Sequence, residues 1–141
     1  MKRPLLISLL LLTVACSQPS TVETFLRGTG PFEFTLDMSD STSVWDYSFY
    51  TRVDSQDAAS ELQLAVTWMS PLAESFTETV YLPLSAGTSF FSKEACVPYR
   101  TAVTPVDYGI WKLTIEVPEP PEGLRGLGLV MSRSSHVADN Q

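Results

Sequence analysis

The sequence has few of the residues that metal sites and most hydrolases need. Its 141 residues include two cysteines and one histidine, and His136 lies in a polar C-terminal stretch. A Cys/His zinc site needs three or four such ligands, and a Ser-His-Asp triad needs a firmly positioned histidine. We therefore expect no metal, no cofactor and no catalytic activity.

Positive charge is also scarce. Nine Lys and Arg residues stand against 16 Asp and Glu residues, which gives a formal net charge of -7. Proteins that bind nucleic acid use clustered Lys and Arg to neutralise phosphates, so we expect no nucleic-acid partner. The hydrophobic share of 44% and charged share of 18% are typical of one globular domain rather than a disordered chain.

The N-terminal apolar run is too short to cross a bilayer. Lys2 and Arg3 precede a largely apolar run at residues 5–14, and the small residue Ala15 follows it, just before Cys16. A membrane-spanning helix needs about 20 apolar residues, whereas a secretory signal has a basic start, a short apolar run and small residues at the cut. Residues 1–15 are predicted to be a signal peptide.

The residues before Cys16 resemble the lipobox of bacterial lipoproteins. In Leu12-Thr13-Val14-Ala15-Cys16 a small residue precedes the cysteine, although Thr13 stands where the pattern prefers a leucine-like residue. The resemblance implies that Cys16 is lipidated and becomes the first residue of the mature protein. The alternative is ordinary cleavage that leaves Cys16 as a free thiol.

Lipid on Cys16 would determine both stability and location. Cys96 would then have no disulfide partner in the chain, so the fold would depend on its core. Without Lys2 and Arg3 the mature chain has seven basic and 16 acidic residues, a net charge of -9. Anionic lipid repels such a domain, so acyl chains must hold it. We expect a cell-envelope protein anchored by lipid to a bacterial membrane, the outer membrane in our interpretation.

The mature chain is predicted to form one β domain with polar ends. Residues 16–30 are predicted to be a lipidated N-terminus and flexible tether, since residues 17–24 are polar and include Pro19. Residues 31–133 are assigned to the domain, and residues 134–141 to a polar tail.

Apolar and polar residues alternate with period two in most of this domain, and no stretch has a helical period. Such runs, bounded by turn residues, predict an antiparallel β-sandwich or jelly roll of about seven strands. Residues 93–108 contain Pro98 and Pro105 and lack alternation, so they are predicted to be a long crossover connection. The glycines of the last run suggest a bulge or a close approach of neighbouring backbone. The seven runs are residues 32–38, 44–53, 61–68, 76–84, 88–92, 111–117 and 127–131.

Clustered carboxylates raise the question of calcium or hydrolase chemistry. Asp37, Asp40 and Asp46 lie near one turn, but their spacing fits no calcium loop, and turn aspartates commonly bond nearby backbone N–H groups. Asp54 and Asp57 begin a predicted loop at residues 54–60, which is a candidate partner contact because loops carry function. A sheet edge, near Thr77 and Thr79, is the alternative, because edge strands offer unpaired backbone groups.

Three glutamates could in principle form a glycosidase pair. Glu116, Glu119 and Glu122 surround a proline-rich turn. A catalytic pair needs two carboxyl groups held rigidly about 5 to 9 Å apart. Surface charge is therefore the favoured interpretation, and a hydrolase is the weakest of the functional hypotheses.

Aromatic residues fall into two groups. Trp45, Tyr47 and Phe49 share one face of an alternating run, which favours the core over a platform for sugars. Tyr50, Tyr81 and Tyr108 lie where exposure is expected, and they are candidate contacts for a partner or ligand. Cys96 is predicted to be a small buried residue or an unreactive loop thiol.

Several segments together resemble the gliding-motility lipoproteins of the GldH type. They are the lipobox cysteine, the runs at residues 32–36 and 47–52 with the turn at 40–42 between them, and residues 111–116 followed by 121–129. Residues 55–62 depart from that family's pattern. The resemblance implies a Bacteroidota-type envelope lipoprotein that serves a motility or secretion assembly without catalysis and binds an envelope protein. A surface glycan-binding lipoprotein of β-sandwich type is the alternative.

Overall fold

The computed structural model describes residues 21–54, 57, 59–84 and 92–134. Cys16, the signal peptide, most of the run at 88–92 and the tail from residue 135 lie outside them. The described residues form eight strands and no helix: β1 Thr21–Arg27, β2 Phe32–Met38, β3 Trp45–Asp54, β4 Glu61–Met69, β5 Ser75–Pro83, β6 Ser92–Val103, β7 Gly109–Glu116 and β8 Leu124–Arg133. In this part of the chain no helix is long and apolar enough to cross a membrane.

The strands form two four-stranded sheets that enclose one core. Sheet 1 has the order β1-β8-β3-β6, and sheet 2 has the order β2-β7-β4-β5. Every pairing is antiparallel. Two sheets of four antiparallel strands in this order make a jelly roll. The predicted fold class is confirmed, with eight strands in place of about seven.

Alternating side chains build the core as the sequence predicts. In β2 every second residue is buried, and the same pattern places Tyr47, Phe49, Leu64 and Leu113 inside. Trp45, Tyr47 and Phe49 are therefore core residues. Val66 lies opposite Ile115 and Trp68 opposite Leu113, so β4 and β7 direct their apolar faces inward together.

β1 corrects the predicted tether. Residues 21–27 form an edge strand that pairs with β8 from Thr21–Ser132 to Arg27–Gly126. All of its residues except Leu26 are exposed, so no buried face marks the segment as a strand. Its backbone is ordered by hydrogen bonds to β8, which lies far away in the sequence.

β6 corrects the predicted crossover. Residues 92–103 form the other edge strand of sheet 1 and pair with β3. Pro98 is tolerated because an edge strand has one side without a ladder partner. The register shifts between Tyr47 and Ser48, and this irregularity explains why the alternation is not visible in the sequence.

One end of the sandwich gathers three connections and the start of β1. We call it the Thr21 end. Thr21 lies beside Ser132 and Met38 beside Gly109. Residues 39–44, 70–74 and 104–108 connect strands at this end. The opposite, distal end holds the connections at residues 28–31 and 117–123.

A polar network joins the exposed edges of the two sheets. The Arg100 guanidinium donates to both carboxylate oxygens of Glu78, at 2.8 and 2.9 Å. Tyr99 donates its hydroxyl to the same carboxylate, and the Trp68 indole donates to that hydroxyl at 3.0 Å. Burial, together with the hydrogen bond to Glu78, raises the pKa of Tyr99. The network holds β5 against β6.

Candidate functional site

A groove of about 560 Å³ runs over the outer face of sheet 1. It crosses strands β1, β8, β3 and β6, and its lining includes Phe25, Tyr50, Arg52, Cys96 and Gly128. These residues come from both termini and the middle of the chain, and the sheet alone brings them together. A rigid sheet that presents polar and aromatic side chains is a suitable platform for binding.

The register of the four strands explains the shape of the groove. Gly128 of β8 pairs with Phe25 on one side and with Tyr50 on the other, and Tyr50 pairs with Cys96. Residues that pair in this way lie in one row across the sheet. Because Gly128 has no side chain, Phe25 and Tyr50 both come close to the β8 backbone there, and a Cβ on Gly128 would lie 3.2 Å from the Phe25 ring and 3.3 Å from Cβ of Tyr50.

The aromatic and charged groups of the groove hold each other in place. The Phe25 and Tyr50 rings meet edge to face, with centroids 5.8 Å apart. The Arg52 guanidinium lies 5.5 Å from the centroid of the Phe25 ring, and its Nε donates to Glu94 at 2.9 Å. Burial, together with a hydrogen bond to Glu94, raises the pKa of Tyr50. The Tyr50 hydroxyl is thus held by Glu94, the same carboxylate that accepts from Arg52.

Cys96 departs from its predicted place. It is a free, exposed cysteine on β6, so it is neither a buried residue nor part of a loop. The side chain faces outward because it shares a row with Tyr50, whose neighbours Phe49 and Thr51 point into the core.

The three candidate tyrosines do not form one surface. Tyr50 lies in the groove, whereas Tyr81 is 57% exposed on the outer face of sheet 2. Tyr108 is 49% exposed and belongs to the connection between β6 and β7 at the Thr21 end. A single small ligand cannot contact all three.

Asp54 and Asp57 fix a loop to the turn that precedes β8. The Arg125 guanidinium donates to both Asp54 oxygens, at 2.7 and 2.8 Å. Asp57 accepts the backbone N–H of Gly123 at 2.8 Å and that of Ala59 at 2.8 Å. These carboxylates therefore have structural partners at the distal end and lie outside the groove.

Asp37 and Asp40 make the local bonds expected of turn residues, whereas Asp46 accepts the backbone N–H of Ala102 on β6 at 2.8 Å. Asp37 accepts the backbone N–H of Ser39 at 3.0 Å, and Asp40 accepts that of Thr42 at 2.9 Å. The hydroxyls of Thr42 and Ser43 also donate to Asp40. Within the described ranges no group of three His, Cys, Asp or Glu residues is arranged to hold a metal.

The sequence analysis missed Phe25 and Arg52 as site residues. Phe25 lies in the segment predicted to be a flexible tether, so nothing in the sequence indicated that it would lie in a binding site. The glycines of β8 did give a signal, since they suggested a close approach of neighbouring backbone. Gly128 fulfils it, because a Cβ built there would lie 3.3 Å from the backbone carbonyl oxygen of Thr24.

Comparisons with known proteins add little. No family model and no curated protein sequence matches the chain. Among solved structures, the chain is similar to one from the empty head of turnip yellow mosaic virus. The two are 14% identical, with 99% of this chain and 94% of that chain covered and a TM-score of 0.28. A likeness this low supports no conclusion about fold or function.

Proposed function

We propose that the protein is a non-enzymatic, lipid-anchored lipoprotein of the cell envelope that binds another envelope protein. It would serve as a scaffold or accessory subunit of a motility or secretion assembly, the role that the resemblance to GldH-type lipoproteins implies. The observation that carries the binding role is the arrangement of Phe25, Tyr50 and Arg52 in the groove on sheet 1. The lipobox at Cys16 supports the anchor.

The chemistry of the groove suits a protein interface. Tyrosine and arginine are among the residues that contribute most binding energy at interfaces. Tyr50 and Arg52 are already restrained by Phe25 and Glu94, so a partner loses little affinity to their ordering. Binding surfaces also gain precision when rigid strands hold them.

A glycan is the second candidate, and one contact weakens it. Sugar-binding sites use the open faces of aromatic rings. The Phe25 ring is covered by the Arg52 guanidinium on one side and approaches Gly126 and Gly128 with its edge atoms. Tyr50 alone would then have to supply the platform, since Tyr81 and Tyr108 lie elsewhere.

Photo-crosslinking in the native envelope tests the proposal. A photoreactive residue at Glu23, which is exposed and lines the groove, should capture one defined envelope protein. The same residue at Gln63, exposed on the outer face of sheet 2, is the matched control and should not. Arg52→Glu should abolish capture, whereas Tyr81→Ala, remote from the groove, should leave it unchanged.

Two results would contradict the protein-binding role. One is capture at Gln63 that equals capture at Glu23, since the groove would then have no special part. The other is binding of purified domain to an envelope glycan that Tyr50→Ala removes, which would favour the glycan function. Turnover of such a glycan would favour an enzyme.

A further inference from the structure

Exposed apolar side chains concentrate at the Thr21 end. Among the described residues, nine large hydrophobic side chains are exposed, and seven of them belong to this end or to the strand residues that adjoin it. Val106 is 84% exposed and Leu72 69%. The other five are Val22, Met69, Phe76, Tyr108 and Ile110. Single exposed apolar residues are ordinary, but a concentration of them indicates a surface that meets something other than water.

Four of these side chains, Met69, Ile110, Phe76 and Val106, line two adjoining depressions. Pro71, in the connection between β4 and β5, approaches Gly109 at the start of β7 so closely that a Cβ built on Gly109 would lie 3.0 Å from it. One depression at this end is lined by Met69, Pro71 and Ile110. Another is lined by Phe76 and Val106, and Trp111 lines both. The connections at residues 70–74 and 104–108 therefore share one apolar surface.

The chain leading to Cys16 leaves from the same end. Thr21 is the first residue of β1 and stands five positions after Cys16, with four residues between them. Fully extended, five residues span at most about 18 Å. A lipid on Cys16 must therefore keep the Thr21 end close to the bilayer, and it keeps the distal end away.

We infer that the Thr21 end docks on the bilayer that holds the lipid, with Leu72, Val106 and Tyr108 entering the interface between headgroups and acyl chains. This inference rests on the proposed lipidation of Cys16. Tethering raises the effective concentration of the bilayer at this surface far above that of any free partner. Aromatic residues with a polar group, such as Tyr108, favour the headgroup level.

The charge at the Thr21 end determines which lipid headgroups this surface can contact. Glu74 is exposed, Asp107 is partly exposed, and both lie in the two apolar connections. Anionic lipid repels carboxylates, so burial of apolar surface drives the docking. Neutral lipid is sufficient, and added salt leaves the contact in place, because screening weakens only the charge interactions.

Fluorescence from lipidated protein in phosphatidylcholine vesicles tests the inference. Three variants are made in a Cys96→Ser background: Leu72→Cys, Val106→Cys and Glu119→Cys. An environment-sensitive dye is attached to the new thiol of each variant. The dye does not label Cys16, because the thiol of a lipidated Cys16 does not react. Mass spectrometry records the acyl chains. Dye at positions 72 and 106 should shift its emission to the blue and be quenched by spin-labelled lipid, also at high salt. Dye at position 119, exposed at the distal end, should show neither change.

A charge variant adds a matched control. Leu72→Asp should reduce quenching of dye at position 106, whereas Tyr81→Asp, which alters another exposed residue on sheet 2, should not. If the protein is lipidated but dye at 72 and 106 behaves like dye at 119, the docking is overturned and the lipid anchor stands. If mass spectrometry shows no acyl chain, the lipid anchor is wrong and the docking inference falls with it.

Discussion

The ring of Phe25 lies against Gly126 on the neighbouring strand, so that a methyl group added to Gly126 would lie 2.5 Å from its Cζ atom. This contact lets an aromatic residue of an edge strand lie flat across sheet 1. It also links two properties of the molecule, since the same ring lines the groove and holds β1 on β8. Changes at Gly126 should therefore affect both stability and binding.

Gly126→Ala should destabilise the domain by about 1 to 3 kcal/mol, because the new methyl group overpacks the contact with Phe25 and β1. Gly128→Ala is the matched control on the same strand and face. A Cβ there would meet Phe25 at 3.2 Å, so a smaller loss is expected. Urea unfolding of both variants measures the difference. Equal losses of unfolding free energy in the two variants would mean that β1 shifts on β8 and so relieves the closer contact at Gly126.

Leu113→Ala should cost about 2 to 5 kcal/mol through lost transfer free energy and the cavity left behind. Leu113 is completely buried and lies opposite Trp68. Lys112→Ala, one residue away on the exposed face of the same strand, should change the free energy of unfolding by no more than about 0.5 kcal/mol. Comparable losses in the two variants would show that the register of β7 is shifted by one residue.

Asp40 should contribute to the acid sensitivity of the fold. Hydrogen bonds from Thr42 and Ser43 lower its pKa from 3.8 to about 2. A lowered pKa favours the folded state while the carboxylate is ionised, so the contribution is full above pH 3.8 and is lost as the pH falls toward 2. Asp40→Asn should therefore flatten the decline of the thermal midpoint in this range.

Glu61→Gln is the control for that titration, since it changes an exposed carboxylate at the distal end. Its midpoint should decline with pH as the unmodified domain's does. A decline of the same steepness in Asp40→Asn would show that the Asp40 carboxylate gains nothing from its neighbours in the folded state.

Cys16→Ala should abolish fatty-acid labelling and leave either a soluble protein or an uncleaved precursor, because the thiol that accepts lipid is gone. Cys96→Ala removes the chain's other cysteine and should retain the label and the membrane fraction. Metabolic labelling followed by fractionation gives both readouts. Label that persists in Cys16→Ala would disprove the lipobox assignment.

The alternation of apolar and polar residues was sufficient to predict the strands whose inner face is buried. Every second residue is buried in β2, β4 and β7. The buried positions are apolar, so the alternation is visible in the sequence of each strand. β1 is exposed at every position except Leu26. Its order depends on pairing with β8, which local sequence cannot show.

The groove could be predicted only in part for the same reason. Tyr50 was predicted from alternation within its own strand, which placed it opposite the core residues Tyr47 and Phe49. Phe25 joins it through the row that includes Gly128, and a row across strands is a property of register. Asp54 and Asp57 were predicted as partner contacts because loops carry function, but Arg125 and Gly123 bind them.

The place where β1 begins determines how the domain would carry mechanical load. With the proposed lipid on Cys16, a pull toward the membrane would act on Thr21 along the strand, while a partner bound across sheet 1 would hold β8 and β3. The hydrogen bonds between β1 and β8 lie perpendicular to that pull, so they are strained together along the seven residue pairs from Thr21 to Arg27. A pull on the residues that follow Ser132 would instead break the hydrogen bonds between β1 and β8 one pair at a time.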